Sequence, residues 1–224
     1  MTWVKICGIT NLEDAQVAVD AGADAIGFVF YEKSPRRVES ETVREIVAEL
    51  PAKVEKVGVF VNDPLNEVAE TARRAGLTAM QISGESALRR LEAWLDEQRA
   101  NSESLKLVPS IPALHLAKGG VHISEGVRRD LLGILIDSAS ESQPGGTGKV
   151  FDWQAARQTI TMLSMTFPTI VAGGLNAGNV GEAIRLFQPF GVDVASGVET
   201  RPGKKDPAKV RAFVQAAKEA GTKQ

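Results

Sequence analysis

Two ionisable side chains stand at the ends of short apolar runs in the sequence, and together they could perform acid–base chemistry. Cys7 ends the first such run, and Asp137 follows residues 132–136, which contain no other ionisable side chain. A thiol has a reference pKa of about 8.5, which a nearby cation lowers, so Cys7 is a candidate base or nucleophile. Partial desolvation raises the pKa of a carboxyl group and suits Asp137 to general acid catalysis. An acid and a base on opposite sides of one substrate would suit isomerisation by proton transfer.

Eight short β-branched runs alternate with longer segments in helical spacing, and these elements have to position both candidates. The runs cover residues 4–7, 25–30, 54–61, 79–82, 105–108, 134–137, 169–172 and 192–195. Repeated strand–helix units with buried strands predict parallel pairing through right-handed crossovers. Eight units in 224 residues give 28 residues each, which fits a closed (βα)8 TIM barrel of the α/β class. An open doubly wound sheet is the alternative, because local periodicity does not report closure.

The segment between the fifth and sixth runs departs from this regularity. Residues 112–129 have poor helical spacing, so the fifth helix is predicted to be irregular or replaced by a loop. No linker, low-complexity stretch or long charge run interrupts the chain. Residues 1–224 are therefore predicted to form a single (βα)8-barrel domain, whose functional groups lie where strands end and the following loops begin.

Glycine-rich turns at three of these strand ends predict a site for a phosphorylated ligand. The residues concerned are Gly146, Thr147 and Gly148 after the sixth strand, Gly173 and Gly174 after the seventh, and Ser196 and Gly197 after the eighth. Glycine lets backbone amides approach an anion closely, and barrel phosphate sites recur after strands seven and eight. Arg36, which follows the second strand, adds a planar fork suited to a carboxylate or a phosphate.

Each candidate side chain also has an ordinary structural explanation. Free cysteines are among the most buried residues, so Cys7 could be a small core side chain, and Asp137 could cap a loop. Arg36 could be a solvated arginine beside Arg37. Lys5 is two residues from Cys7, but the sequence does not decide whether it assists the thiol or points into the barrel. Only closure of the sheet would bring Cys7 and Asp137 to a common mouth.

The composition argues against several other classes of protein. A formal charge of −2 leaves no basic excess for nucleic-acid binding, and no apolar stretch approaches the ~18 residues that would span a membrane. One cysteine forms neither an internal disulfide nor a thiolate metal cage, and no signal peptide is evident. Both histidines fall in the irregular segment, and no carboxylate cluster offers a metal site. These features predict a cytoplasmic protein that holds no metal and binds a small molecule. The sequence leaves open whether the protein is a monomer or a homodimer.

Taken together, the segments resemble the phosphoribosylanthranilate isomerase family, (βα)8-barrel enzymes of tryptophan biosynthesis. The matching pieces are residues 5–10, 27–30, 34–38, 57–62, Asp137, 145–149 leading into 151–153, 172–175, and 192–200 with 202–203 and 205–206. They span nearly the whole chain in the order that the family has. The combination is specific to the family, although no single piece is.

The resemblance implies a cofactor-free Amadori rearrangement of N-(5-phosphoribosyl)anthranilate to 1-(2-carboxyphenylamino)-1-deoxyribulose 5-phosphate. Asp137 would protonate the furanose ring oxygen and open the sugar to a Schiff base, and Cys7 would remove the C2′ proton. Arg36 would hold the anthranilate carboxylate. Backbone amides of the glycine-rich turns would cradle the phosphate.

One departure and two rival interpretations accompany this resemblance. After Gln81 the family usually has Leu-His-Gly, whereas this chain has Ile82-Ser83-Gly84, so the histidine's contribution is missing. The histidine-pathway sugar isomerase has a similar barrel, but its first strand ends in aspartate where Cys7 stands here. A non-catalytic barrel that senses a phosphorylated ligand is the rival from another class.

Overall fold

Eight parallel strands form a closed ring in this protein, and each strand pairs with its neighbours in sequence order. The computed structural model describes residues 1–84, 86–98, 105–113, 123–137 and 152–222. The strands are β1 (Trp3–Cys7), β2 (Ala25–Val29), β3 (Glu55–Val61), β4 (Ala79–Ser83), β5 (Lys106–Pro112), β6 (Ile134–Asp137), β7 (Thr169–Val171) and β8 (Gly191–Val194). Because β1 pairs with β8 as well as with β2, the predicted (βα)8 barrel is confirmed and the open-sheet alternative is wrong.

Helices follow the strands and cover the outside of the ring. Within the described ranges they are α1 (Leu12–Asp20), α2 (Ser40–Ala48), α3 (Leu65–Arg74), α4 (Ala87–Gln98), α5 (Glu125–Asp130), α6 (Trp153–Thr166), α7 (Val180–Phe187) and α8 (Pro207–Thr222). None of these helices combines the length and the apolar character that crossing a membrane would need.

The segment between β5 and β6 is described only in part, and the prediction of an irregular or missing fifth helix falls largely on residues outside the described ranges. Its described part carries α5, a helix of six residues, while residues 114–122, with both histidines, lie outside the described ranges. The predicted end of the fifth strand at residue 108 is wrong. The strand continues to Pro112 because its pairing with β6 extends through Ser110, Ile111 and Pro112.

Side chains along each strand alternate between two cores, one under the helices and one inside the ring. In β1, Val4 and Ile6 point outward and are fully buried in the large cluster that the helices cover. Lys5 and Cys7 take the intervening positions and therefore face the inside of the ring. The strand alternation thus delivers a lysine and a cysteine, rather than two apolar residues, to the interior.

A short hairpin that the sequence patterns do not predict follows β8. It consists of a 3₁₀ turn (Ser196–Val198), β9 (Glu199–Arg201) and the antiparallel β10 (Lys204–Lys205). Asp14 of α1 holds the hairpin by accepting hydrogen bonds from the Lys205 backbone N–H at 2.8 Å and from Lys204 Nζ at 2.7 Å. These contacts fix two further ionisable side chains, Glu199 and Lys205, at the C-terminal end of β1.

Candidate active site

Cys7 ends β1 with its side chain inside the ring and 7% of its surface exposed. Its backbone partner on β2 is Gly27, which makes room for the thiol. A Cβ at position 27 would lie 2.8 Å from Cys7 Sγ and 2.9 Å from Lys5 Cε, closer than non-bonded atoms pack. The thiol and the lysine stem therefore lie side by side over the Gly27 backbone.

Lys5 points into the barrel and forms a polar layer with Gln81 and Asp193. Its Nζ donates to Gln81 Oε1 on β4 at 2.9 Å and to Asp193 Oδ1 on β8 at 3.0 Å. All three side chains are buried, so charged and polar groups cross the ring on the N-terminal side of Cys7. Sequence reasoning missed this layer, although the two-residue spacing of Lys5 and Cys7 is a signal that they share a face.

Burial raises the pKa of the Cys7 thiol above its ordinary value. The charges of Lys5 and Lys205 oppose this shift, whereas the charge of Asp193 adds to it. Nearby cations therefore lower the pKa of the thiol, as the sequence suggested, but the increase caused by desolvation is larger. The net shift therefore favours the protonated thiol, while the charges of Lys5 and Lys205 favour the thiolate.

Arg36 comes from the loop between β2 and α2, and Glu199 of β9 binds one edge of its guanidinium. Nε donates to Glu199 Oε1 at 2.9 Å and Nη2 donates to Oε2 at 2.8 Å. Gly8 permits this arrangement, because it has a φ of +76° and a Cβ there would lie 2.5 Å from Arg36 Cδ. Arg36 is buried, so the solvated arginine of this pair is Arg37. The two bonds use two of the five N–H donors of the guanidinium.

Lys205 links Glu199 to the end of β1. Its Nζ donates to Glu199 Oε1 at 2.9 Å and to the backbone carbonyls of Cys7 at 2.6 Å and Ala195 at 3.2 Å. Although burial alone would raise it, Arg36 and Lys205 hold the pKa of the Glu199 carboxyl below its ordinary value. Glu199 therefore stays ionised and ties the guanidinium of Arg36 to the strand that carries the thiol.

Asp137 ends β6 and faces the same mouth of the barrel as Cys7. Leu135, two residues earlier, belongs to an interior apolar cluster with Ile170 and Ala172, so strand alternation turns Asp137 inward. The residue is half-buried. Because only β7 and β8 separate β6 from β1 on that side of the ring, the two candidates lie around one opening.

The loops after β7 and β8 pack against each other at this mouth. Gly173 and Gly174 have φ angles of 88° and 68°, which favour glycine, and no hydrogen bond among the described residues uses their backbone N–H groups. A Cβ at Gly197, next to Ser196 in the 3₁₀ turn, would lie 1.9 Å from the Leu175 carbonyl oxygen. The loop with Gly173 and Gly174 and the loop with Ser196 and Gly197 are called the anion loops, after the phosphate site that the sequence predicts there. The predicted Gly146, Thr147 and Gly148 lie outside the described residues.

Ser83 occupies the strand end where the resembling family usually has histidine. It ends β4, two residues after Gln81, and is half-buried at the same mouth. Within the described ranges, no group of three or more His, Cys, Asp and Glu side chains is arranged to hold a metal ion.

The fold and its mouth define a (βα)8-barrel protein with a thiol and a carboxyl group around one opening. The sequence model of the family described as N-(5'phosphoribosyl)anthranilate (PRA) isomerase matches residues 4–216. This chain belongs to the N-(5'-phosphoribosyl)anthranilate isomerase family.

Relatives and solved structures agree with this membership over nearly the full length. The N-(5'-phosphoribosyl)anthranilate isomerase of Pelobacter propionicus is 41% identical over 219 residues, which cover 98% of this chain and 97% of the relative. The isomerase structure from Thermotoga maritima has a TM-score of 0.79 and 37% identity, covering 98% of this chain and 100% of its own. A family structure in complex with reduced 1-(o-carboxyphenylamino)-1-deoxyribulose 5-phosphate has a TM-score of 0.75 and 35% identity, with the same coverage.

Proposed function

We propose that this protein converts N-(5-phosphoribosyl)anthranilate to 1-(2-carboxyphenylamino)-1-deoxyribulose 5-phosphate, without a cofactor, in tryptophan biosynthesis. The observation that carries the proposal is the common mouth shared by Cys7, Asp137 and the anion loops. A proton donor, a proton acceptor and an anion site around one opening suit the internal transfer of protons within a phosphorylated sugar. A free thiol at the centre of the reaction supports a cytoplasmic location.

Asp137 acts as the general acid and Cys7 as the general base. Asp137 donates a proton to the furanose ring oxygen, the bond from that oxygen to C1′ breaks, and the nitrogen lone pair forms a Schiff base at C1′. The Cys7 thiolate then takes the C2′ proton, and the electron pair of that C–H bond neutralises the Schiff base to give an enolamine. Loss of the C2′ hydroxyl proton and protonation at C1′ give the ketone, so substrate and product have the same atoms.

Arg36 binds the anthranilate carboxylate through N–H donors that Glu199 does not occupy. Glu199 holds the Nε–Nη2 edge at 2.9 and 2.8 Å, which prevents rotation of the guanidinium. A fixed, planar donor next to Cys7 suits bidentate recognition of a carboxylate. The phosphate, at the other end of the substrate, binds the anion loops through the N–H groups of Gly173 and Gly174.

The activity is tested by following the loss of fluorescence of freshly generated N-(5-phosphoribosyl)anthranilate. We expect rapid loss with the purified protein and a loss at least about 100-fold slower with Cys7→Ala. No loss with either protein, together with tight binding of the reduced product analogue, would favour the non-catalytic sensor. Turnover of the histidine-pathway aminoimidazole substrate in place of phosphoribosylanthranilate would favour the other rival.

Arg36→Met is expected to raise KM by about 10- to 100-fold, because charge-assisted hydrogen bonds to a carboxylate contribute roughly 1.5–3 kcal/mol. The value of kcat should change much less, since Arg36 does not touch the reacting carbons. Steady-state kinetics measure both constants. Arg37→Met is the matched control, because Arg37 is exposed and pairs with Glu39. An unchanged KM in the Arg36 variant would exclude a role in holding the carboxylate.

A further inference from the structure

Lys5 is a buried ammonium group to which the proposed reaction gives no task. Its side chain is 1% exposed and is bonded to Gln81 on β4 and Asp193 on β8. Taking a charge out of water is unfavourable even when it is paired, and an apolar side chain of similar size often replaces a buried ion pair without loss of stability. A charge at this position therefore points to a role beyond packing.

Cys7 is a further partner of this ammonium group. The two residues share the interior face of β1, and the missing side chain of Gly27 leaves the thiol beside the lysine stem. The charge of Lys5 favours the thiolate. Although burial alone would lower it, Asp193 and Cys7 raise the pKa of Lys5 above its ordinary value, so the lysine stays charged.

The two other cations near Cys7 are held by Glu199 rather than by Asp193. Lys205 is bonded to Glu199 and to backbone carbonyls, and Arg36 is held on one edge by the same carboxylate. Asp193 is the nearby anion on β8, and its negative charge disfavours the thiolate. Lys5 differs from Lys205 and Arg36, because it lies on the same strand and on the same face of that strand as the Cys7 sulfur.

We propose that Lys5 is a positioning residue that sustains the thiolate form of Cys7, with Asp193 and Gln81 fixing the ammonium beside the sulfur. The inference rests on the proposed function, in which Cys7 is the base. The ammonium keeps its proton throughout the reaction. Its charge balances the sulfur while the thiolate exists, and it balances Asp193 once the C2′ proton has neutralised the sulfur.

The test is a pH titration of the thiol in the substrate-free protein. The ultraviolet absorbance of the thiolate monitors the titration, and Cys7→Ala provides the baseline. Cys7 is the only cysteine, so the signal belongs to one residue. Lys5→Met is expected to raise the thiol pKa by about one unit or more, because a facing positive charge is removed. Asp193→Asn is expected to lower it, because a facing negative charge is removed and Lys5 remains. Lys56→Met, which removes a buried lysine of β3, should leave it unchanged.

Opposite changes of the thiol pKa in the two variants are the result expected from charge. A change of both in one direction, or no change in either, would overturn the proposal, because loss of packing does not depend on the sign of the charge removed. If Lys5→Met does not fold, Asp193→Asn decides by itself: a lower thiol pKa supports the proposal, and any other result overturns it.

Kinetics supply a second measurement. In Lys5→Met the rise of kcat/KM with pH should move to higher pH. At a fixed pH below the thiol pKa, a rise of that pKa by about one unit would lower kcat/KM about tenfold, because the thiolate fraction falls about tenfold. KM should change little.

Two kinetic outcomes would contradict the proposal. A raised thiol pKa with an unchanged pH profile would overturn the role of Cys7 as the base, and with it the role of Lys5. A lost activity with an unchanged thiol pKa would overturn the role of Lys5 and leave the proposed reaction standing.

Discussion

Asp137→Asn is expected to lower kcat by about 10²- to 10⁴-fold, the range by which a positioned general acid accelerates a reaction. Asparagine has nearly the same shape as aspartate but no acidic proton to donate to the furanose ring oxygen. Binding of the reduced product analogue should stay within a few-fold, because the anion loops and Arg36 remain. Steady-state turnover and calorimetric titration of the analogue measure the two effects separately.

Asp20→Asn is the control for the Asp137 variant, because Asp20 is an exposed aspartate at the end of α1 on the outside of the barrel. It should keep parental kcat and KM. Near-parental turnover by Asp137→Asn would show that another group opens the sugar ring. A loss of analogue binding as large as the loss of kcat would mean that Asp137 binds substrate rather than donating a proton.

Cys7→Ala is expected to lower kcat by a similar factor, about 10²- to 10⁴-fold, because no thiolate remains to take the C2′ proton. The barrel should fold normally, since alanine removes only the sulfur and leaves the backbone pairing of Cys7 with Gly27 in place. Exchange of the C2′ hydrogen with deuterated water during turnover gives the direct measurement. The exchange should disappear in the variant, while the reduced product analogue still binds.

Cys7→Ser separates the chemistry of the sulfur from its volume. A hydroxyl fills nearly the same space but ionises far less readily than a thiol, so this variant should be as inactive as Cys7→Ala. Activity close to that of the parent in the serine variant would mean that the thiol fills space and that the base lies elsewhere. Because burial raises the pKa of the Cys7 thiol, kcat/KM of the parent should also increase with pH through the neutral range.

The barrel could be predicted because its strand–helix alternation is a local pattern. The predicted bounds of the sixth strand, 134–137, agree with β6. Its apolar residues begin after Gly133 and end at a single aspartate, so the sequence marks both ends of the strand. The predicted fifth strand ends too early, at residue 108. Pro109 and Pro112 argue against a strand in the sequence, since proline lacks the N–H that a ladder needs. In the structure both prolines lie in β5, opposite Ile82 and Asp137 respectively.

The sequence by itself determined which residues stand at strand ends, and so it named Cys7, Asp137 and Arg36. Which groups face them was decided by closure of the ring. Lys5 meets Asp193 across 188 positions of sequence, and Arg36 meets Glu199 across 163. A period of two residues reports the face on which a side chain lies, but the partner on that face depends on which strands become neighbours. The polar layer and the Glu199–Lys205 link therefore exist only in the folded barrel, where β8 and its hairpin close against β1.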